Sequence, residues 1–339
     1  MSSTPEVRAV LDSVAALTAR AERRETLETP GKSGARLERV WIDGEPYVLK
    51  YLDEAADWTL RAAAVPGSAT VELWRRGVLD ALPDCLVQPI VAVAHDRADP
   101  RLSAILMHDV GDLLVPAVDD PVPLEQHLGF LDHMAALHAA FWQDDSGATA
   151  PAIDVVPAER RYLELSPRMA EAEAALGSDH LVPRLVAQGW PALEEVAPAA
   201  AAVVVPLVHD PAPLLAALDT TPQTFVHGNW KLDNLGTDAA GRTVLLDWEL
   251  PGRGAAASDL AWYLAINCRR LPTSKERAID DYREALVRHG VDTDGWWERQ
   301  VGLCLLGALV QFGWEKALGG YDDELAWWET QALSGQSWL

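Results

Sequence analysis

Lysine is scarce in this chain: five in 339 residues, at positions 32, 50, 231, 275 and 316. Cysteine is scarcer still. Cys85, Cys268 and Cys304 are far apart and form no C-x-x-C, which argues against a disulfide framework or a zinc site and fits a reducing compartment. Basic charge is in deficit, with 28 Lys and Arg against 51 Asp and Glu, a net of −23. Such a chain has no cationic surplus with which to track a phosphate backbone, so nucleic acid is excluded as a partner. The same charge repels anionic lipid surfaces and attracts cationic small molecules. The longest apolar run, residues 197–208, is broken by Pro198 and Pro206 and falls short of the ~20 residues a membrane helix needs. The opening residues lack the basic start and apolar stretch of a secretory signal. The expectation is a cytoplasmic protein with no membrane partner.

What is present is enough to build a core. Apolar residues make up 49% and charged residues 23%, a globular composition whose length suits two or three packed units or one bilobal enzyme. Residues 7–23 have a helical period, with Val10, Val14 and Leu17 on one face. Residues 25–28, 36–42 and 47–52 read as strands, with Asp43-Gly44 a hairpin signal between the last two. A helix is expected over residues 69–82 and strands over 87–94 and 102–107, followed by a bend at Gly111-Asp112. From residue 124 helices dominate. Residues 128–142 carry a clear helical face, 151–200 read as short helices and loops, and two short strands at 225–226 and 244–247 flank a loop. The division expected is a β-rich lobe over residues 1–108 and a helical lobe over 109–339.

The chemistry concentrates in three segments. His227-Gly228-Asn229-Trp230-Lys231-Leu232-Asp233-Asn234 is followed by Val244-Leu245-Leu246-Asp247-Trp248-Glu249 and then by Ser258-Asp259-Leu260-Ala261. In order and spacing these resemble the aminoglycoside phosphotransferase family, whose signature is H-G-D-x-x-x-x-N, an apolar strand ending in Asp-Trp or Asp-Phe, and Asp-Leu-Ala about a dozen residues later. A sheet with a lysine on its third strand and a bend between the lobes match as well, so the resemblance covers most of residues 25–335.

The resemblance implies an α+β, bilobal, protein-kinase-like fold. It also implies a phosphotransferase that moves a phosphoryl group from ATP, with Mg2+, to a hydroxyl of a small molecule. Such transfer rests on positioning and electrostatics, and magnesium takes hard oxygen ligands. Asp247 and Asn234 are the implied metal ligands. Lys50 is expected to reach the phosphates, held by Glu72 on the following helix or, failing that, by Glu54. Lys231 is expected beside the transferred group, and Met107 and Asp109 at the bend between the lobes are expected to border the adenine through backbone groups. The turn at residues 30–34 is read as a loose phosphate cover, since Thr26 stands where a Walker A loop needs glycine. Asp259 is expected to hold the catalytic loop, and His138 to be a satisfied core histidine. Asp233 fits an amino group on the acceptor, which points to an amino sugar or antibiotic.

One residue departs from the pattern. Asn229 stands where the family has the aspartate that takes or orients the acceptor's proton. An amide cannot accept that proton, and loss of a general base costs about 10²–10⁴ in rate. The asparagine is an engineered exchange, or natural in a slow enzyme, or the mark of a protein that binds a nucleotide or metabolite without phosphorylating anything.

Overall fold

The computed structural model describes residues 8–28, 33–142 and 153–339. A one-turn helix, α1 (Val14–Leu17), leads into β1 (Ala21–Leu27), β2 (Leu37–Ile42) and β3 (Glu45–Asp53). Two helices follow, α2 (Trp58–Ala63) and α3 (Ala69–Arg75), then β4 (Leu86–Val87), β5 (Ile90–His95) and β6 (Leu102–His108). Five strands form an antiparallel sheet in the order β1-β2-β3-β6-β5. The β2–β3 turn is closed by Asp43 and Gly44, both at positive φ (54° and 82°), the conformation that a two-residue hairpin loop requires.

Three expectations need correction. The helix over residues 7–23 is only α1. Ser13 caps it, and the charged stretch from residue 21 pairs with β2 instead, because sheet pairing overrides weak local propensity. The helix over 69–82 stops at Arg75, where Gly77 turns left-handed at φ 67°. The strand over 87–94 is two strands in different sheets, because Pro89 has no N–H to continue a ladder.

The helical part opens with α4 (Leu124–Ala140) and continues through α5 (Ala158–Leu163), α6 (Pro167–Ala175), α7 (Leu181–Val196), α8 (Pro198–His209) and α9 (Ala212–Leu218). The stretch read as short helices and loops therefore holds a 16-residue helix, α7. Short strands β7 (Thr224–Val226), β8 (Leu235–Thr237), β9 (Thr243–Leu245) and β10 (Gly252–Gly254) frame the motif loops: β10 pairs with β7, and β9 lies between β4 and β8. The chain ends in α10 (Ala257–Ile266), α11 (Lys275–Arg288), α12 (Trp297–Leu318) and α13 (Asp323–Gly335). Helix α12 is long and apolar enough to cross a membrane, yet 83% of its apolar window is buried. It is the central helix of the bundle, enclosed by α7, α8, α10 and α13. Trp297, Trp314 and Trp328 are buried core residues of this bundle.

Side chains tie α2 and the residues before it to the helical part. Arg61 on α2 makes a two-pronged ion pair with Glu173 on α6, at 2.7 and 2.6 Å, and His180 donates to the carbonyl of Ala56 at 2.9 Å. Glu173 is buried, so removing Arg61 strands its charge. Arg61→Ala is expected to lower unfolding free energy by about 2 kcal/mol, measurable by denaturant titration.

Candidate active site

The loop between β7 and β8 carries the first motif, and its shape is fixed by buried contacts. Asp259, at the start of α10, accepts from the backbone N–H of His227 at 2.7 Å and of Gly228 at 2.8 Å. His138 on α4 supports the same carboxylate at 3.2 Å and meets the Tyr282 hydroxyl at 2.5 Å. It is a fully buried histidine with partners on both ring nitrogens. Gly228 sits at φ 76°, where a Cβ would lie 2.1 Å from the carbonyl oxygen of Leu250, so only glycine fits. The His227 Nε2–H donates to the carbonyl of Leu246 at 3.0 Å, and Trp248 packs edge-on against its ring.

Asp247 is the meeting point. It follows β9 at φ 67°, a conformation disfavoured for a side-chain-bearing residue and characteristic of functional turns. Lys50 of β3 donates to Oδ1, and Asn229 Nδ2 donates to Oδ2 at 2.9 Å. Burial pushes the Asp247 carboxyl up, but the charges of Lys50 and Lys231 outweigh it and hold its pKa near about 2. For Lys50, burial pulls the pKa down, and Asp247 and Glu249 more than reverse it, so the ammonium stays charged. Asn234 lies within the one-turn helix 232–234 and donates through Nδ2 to the carbonyl of Asn229 at 3.0 Å, while its own carbonyl accepts from Leu246 N–H at 2.9 Å.

The structure thus brings Lys50, Asn229, Lys231, Asn234 and Asp247 together. Lys231 acts through its charge on Asp247, His227 and Glu164. Asp233 is exposed. Met107 is buried in the core on β6, and the Asp109 carboxylate accepts from Arg39 on β2 at 2.7 Å. Pro30, Gly31 and Lys32 of the proposed phosphate cover lie outside the described residues.

The partner expected for Lys50 is corrected. Glu72 is taken by Arg75 and Arg76 on its own helix, the i,i+3 and i,i+4 neighbours that Glu-Leu-Trp-Arg-Arg already announces. Glu54 is not the partner either; Lys50 pairs with Asp247. Helix α3 contributes differently. Thr70 Oγ1 donates to Glu249 at 2.6 Å and Ser68 Oγ at 3.1 Å, so hydroxyls at its start grip a carboxylate two residues beyond Asp247. Burial pushes the Glu249 carboxyl up to about 7.

Two carboxylates near the site were not singled out from sequence. Glu249 had a signal, its place two residues past Asp247. Glu164 had none. It follows α5, is 5% exposed, and its Oε2 is buried with no hydrogen-bond partner.

Residues 131–296 match the phosphotransferase enzyme family. No curated protein matches the chain by sequence. Among solved structures, the choline kinase LicA from Streptococcus pneumoniae is similar at 12% identity and a TM-score of 0.51, over 96% of both chains. A choline kinase from Cryptosporidium parvum Iowa II is similar at 13% identity and a TM-score of 0.50, covering 94% of this chain and 90% of its own. These likenesses establish a kinase-like fold: α+β and bilobal, with an antiparallel sheet lobe and a helical lobe.

The residues present suit a magnesium ion. Asp247 is ionised, Asn234 keeps an amide oxygen for a ligand, and both belong to the hard-oxygen class that magnesium accepts alongside phosphates and waters.

Proposed function

We propose that the chain transfers the terminal phosphoryl group of ATP to a hydroxyl of a small molecule. The observation that carries this reading is the chain of contacts from Lys50 through Asp247 to Asn229. It joins the cation of the sheet to the carboxylate and amide of the motif loops. On this reading residues 1–108 hold the nucleotide and residues 109–339 hold the catalytic loop and the acceptor. Lys50 steadies the nucleotide phosphates, Lys231 offsets charge on the transferred group, and Asp259 keeps the loop in register. Asp247 and Asn234 would hold magnesium, which supplies charge neutralisation on the phosphates. The adenine edge lies against residues 107–110, where the backbone rather than the side chains of Met107 and Asp109 serves. The acceptor bears an amine. The exposed Asp233 and the net charge of −23 support that choice.

Calorimetry with ATP, with and without magnesium, tests the nucleotide site. Single-turnover assays over a panel of amino sugars and choline test transfer. Lys50→Met is expected to weaken ATP binding about tenfold, or about 1.4 kcal/mol, with the fold retained by circular dichroism. Unchanged affinity would remove Lys50 from the site.

A second reading has its own observation. Asn229 spends its amide N–H on Asp247 and offers no basic group. A protein that binds nucleotide without transfer would look the same at this position, and it would bind ATP while leaving every acceptor unmodified.

A further inference from the structure

Several carboxylates in and around the motif loops are buried or half-buried, and the described contacts account for all but one. Asp247 accepts from Lys50 and Asn229. Glu249 accepts from Thr70 and Ser68. Asp259 accepts from the N–H groups of His227 and Gly228. Asp57, capping α2, accepts from Thr59 through both backbone and hydroxyl. Glu164 alone among these has a buried oxygen with no donor.

Glu164 stands at the corner between α5 and α6. Helix α5 packs on α2 and β10, and α6 is clamped to α2 by Glu173 and Arg61. The charged groups that act on Glu164 are Lys231 from the catalytic loop, Asp247 from the metal-binding turn and Asp57 from the start of α2. A buried acceptor left empty in an otherwise satisfied site costs free energy unless a ligand fills it.

We propose that Glu164 takes the acceptor's hydroxyl proton, the task left vacant by the asparagine at 229. The proposal rests on the phosphotransferase reading. An acceptor hydroxyl seated between Lys231 and Glu164 gives Oε2 the donor it lacks. In the transfer, the O–H bond breaks and its proton passes to Glu164 Oε2. The freed electron pair forms the bond to the γ-phosphorus. The bond from that phosphorus to the bridging oxygen breaks, and its electrons leave on the ADP oxygen. On this reading Lys231, whose charge acts on the Glu164 carboxylate, offsets charge on the transferred group. Burial pushes the Glu164 carboxyl up, Lys231 opposes this, Asp247 and Asp57 reinforce it, and the result is about 8. The ionised form is the base; it is the minor form at pH 7 and grows as pH rises through about 8.

The test is single-turnover transfer from ATP with magnesium, over the panel of amino sugars and choline. It compares the wild type, Glu164→Gln, Asn229→Asp and the double variant, with ATP affinity measured for each. Glu164→Gln is expected to lose about 10²-fold or more in rate with ATP affinity unchanged. Adding Asn229→Asp to it is expected to recover most of that loss, because a carboxylate then stands at the motif position. Glu164→Asp, which keeps the carboxyl but shortens its reach, is expected to fall in rate as well, and it serves should Glu164→Gln fail to fold. Full activity in either Glu164 variant overturns the proposal. A silent wild type beside an active Asn229→Asp also overturns it, since the native site would then have no base, while the phosphotransferase reading stands. Silence in all four proteins overturns both.

Discussion

Asp247→Asn is expected to abolish the magnesium dependence of ATP binding and to cut turnover by about 10³-fold, or about 4 kcal/mol of barrier. The carboxylate is held ionised by Lys50 and Lys231 despite its burial, at a pKa of about 2, so it is charged at any working pH. Its amide replacement is nearly the same shape and tolerates the left-handed backbone at φ 67°. What the substitution removes is therefore the charge rather than the turn. Asp247→Ala removes both. It adds backbone strain of about 1–2 kcal/mol and leaves the Lys50 ammonium without its principal partner, a loss that buried pairs feel strongly. Comparing the two by calorimetry and thermal melting separates the chemistry from the conformation. The asparagine variant also loses the ion pair but keeps an oxygen for Lys50 and the turn, so it should melt between the wild type and the alanine variant, and bind ATP equally with or without magnesium. An asparagine variant that still binds ATP better with magnesium would take the metal away from Asp247.

The motif loops were legible in the sequence because their chemistry is local. His227 to Asn234 form one loop, Asp247 lies in the turn just past one strand, and Asp259 opens one helix. Their spacing along the chain reflects the few residues needed to bring them around one carboxylate. Lys50 was legible for a different reason: in a chain with five lysines, one inside a strand stands out. Pairings across the fold were not legible. The partner of Lys50 lies 197 residues away, and only the docking of β3 over the catalytic loop reveals it. Glu72 was misassigned because its helix position outweighed the arginines three and four residues on. The end of residues 7–23 went wrong because a charged alternating stretch suits an exposed strand as well as a helix. Glu164 was invisible because Glu159 and Glu164 share one Ala-, Glu- and Arg-rich stretch, and burial alone distinguishes them.

Glu164→Gln is expected to make the protein more stable at neutral pH, even as it slows transfer. A buried carboxyl with a raised pKa works against the fold. Below about pH 4 both folded and unfolded chains carry the proton, and the group contributes no difference. As pH rises past the unfolded value of about 4.3 the unfolded chain ionises while the buried group does not, and stability falls until the folded pKa of about 8 is passed. At pH 7 the accumulated cost is roughly 3 to 4 kcal/mol, reduced by whatever the site relaxes when the carboxylate forms. Glutamine is nearly isosteric with the neutral carboxyl and cannot ionise, so that cost disappears. The variant's unfolding free energy should therefore exceed the wild type's at pH 7 and 8, and the two should converge near pH 4. Glu249, pushed up to about 7, sets a similar slope in both proteins and cancels from the difference. A structural role for Glu164 predicts the opposite sign, a variant less stable at every pH. Denaturant titrations at pH 4, 6 and 8 decide between them. A stability gain joined to a loss of turnover is the pattern expected of a group kept in an unfavourable place for the chemistry it performs.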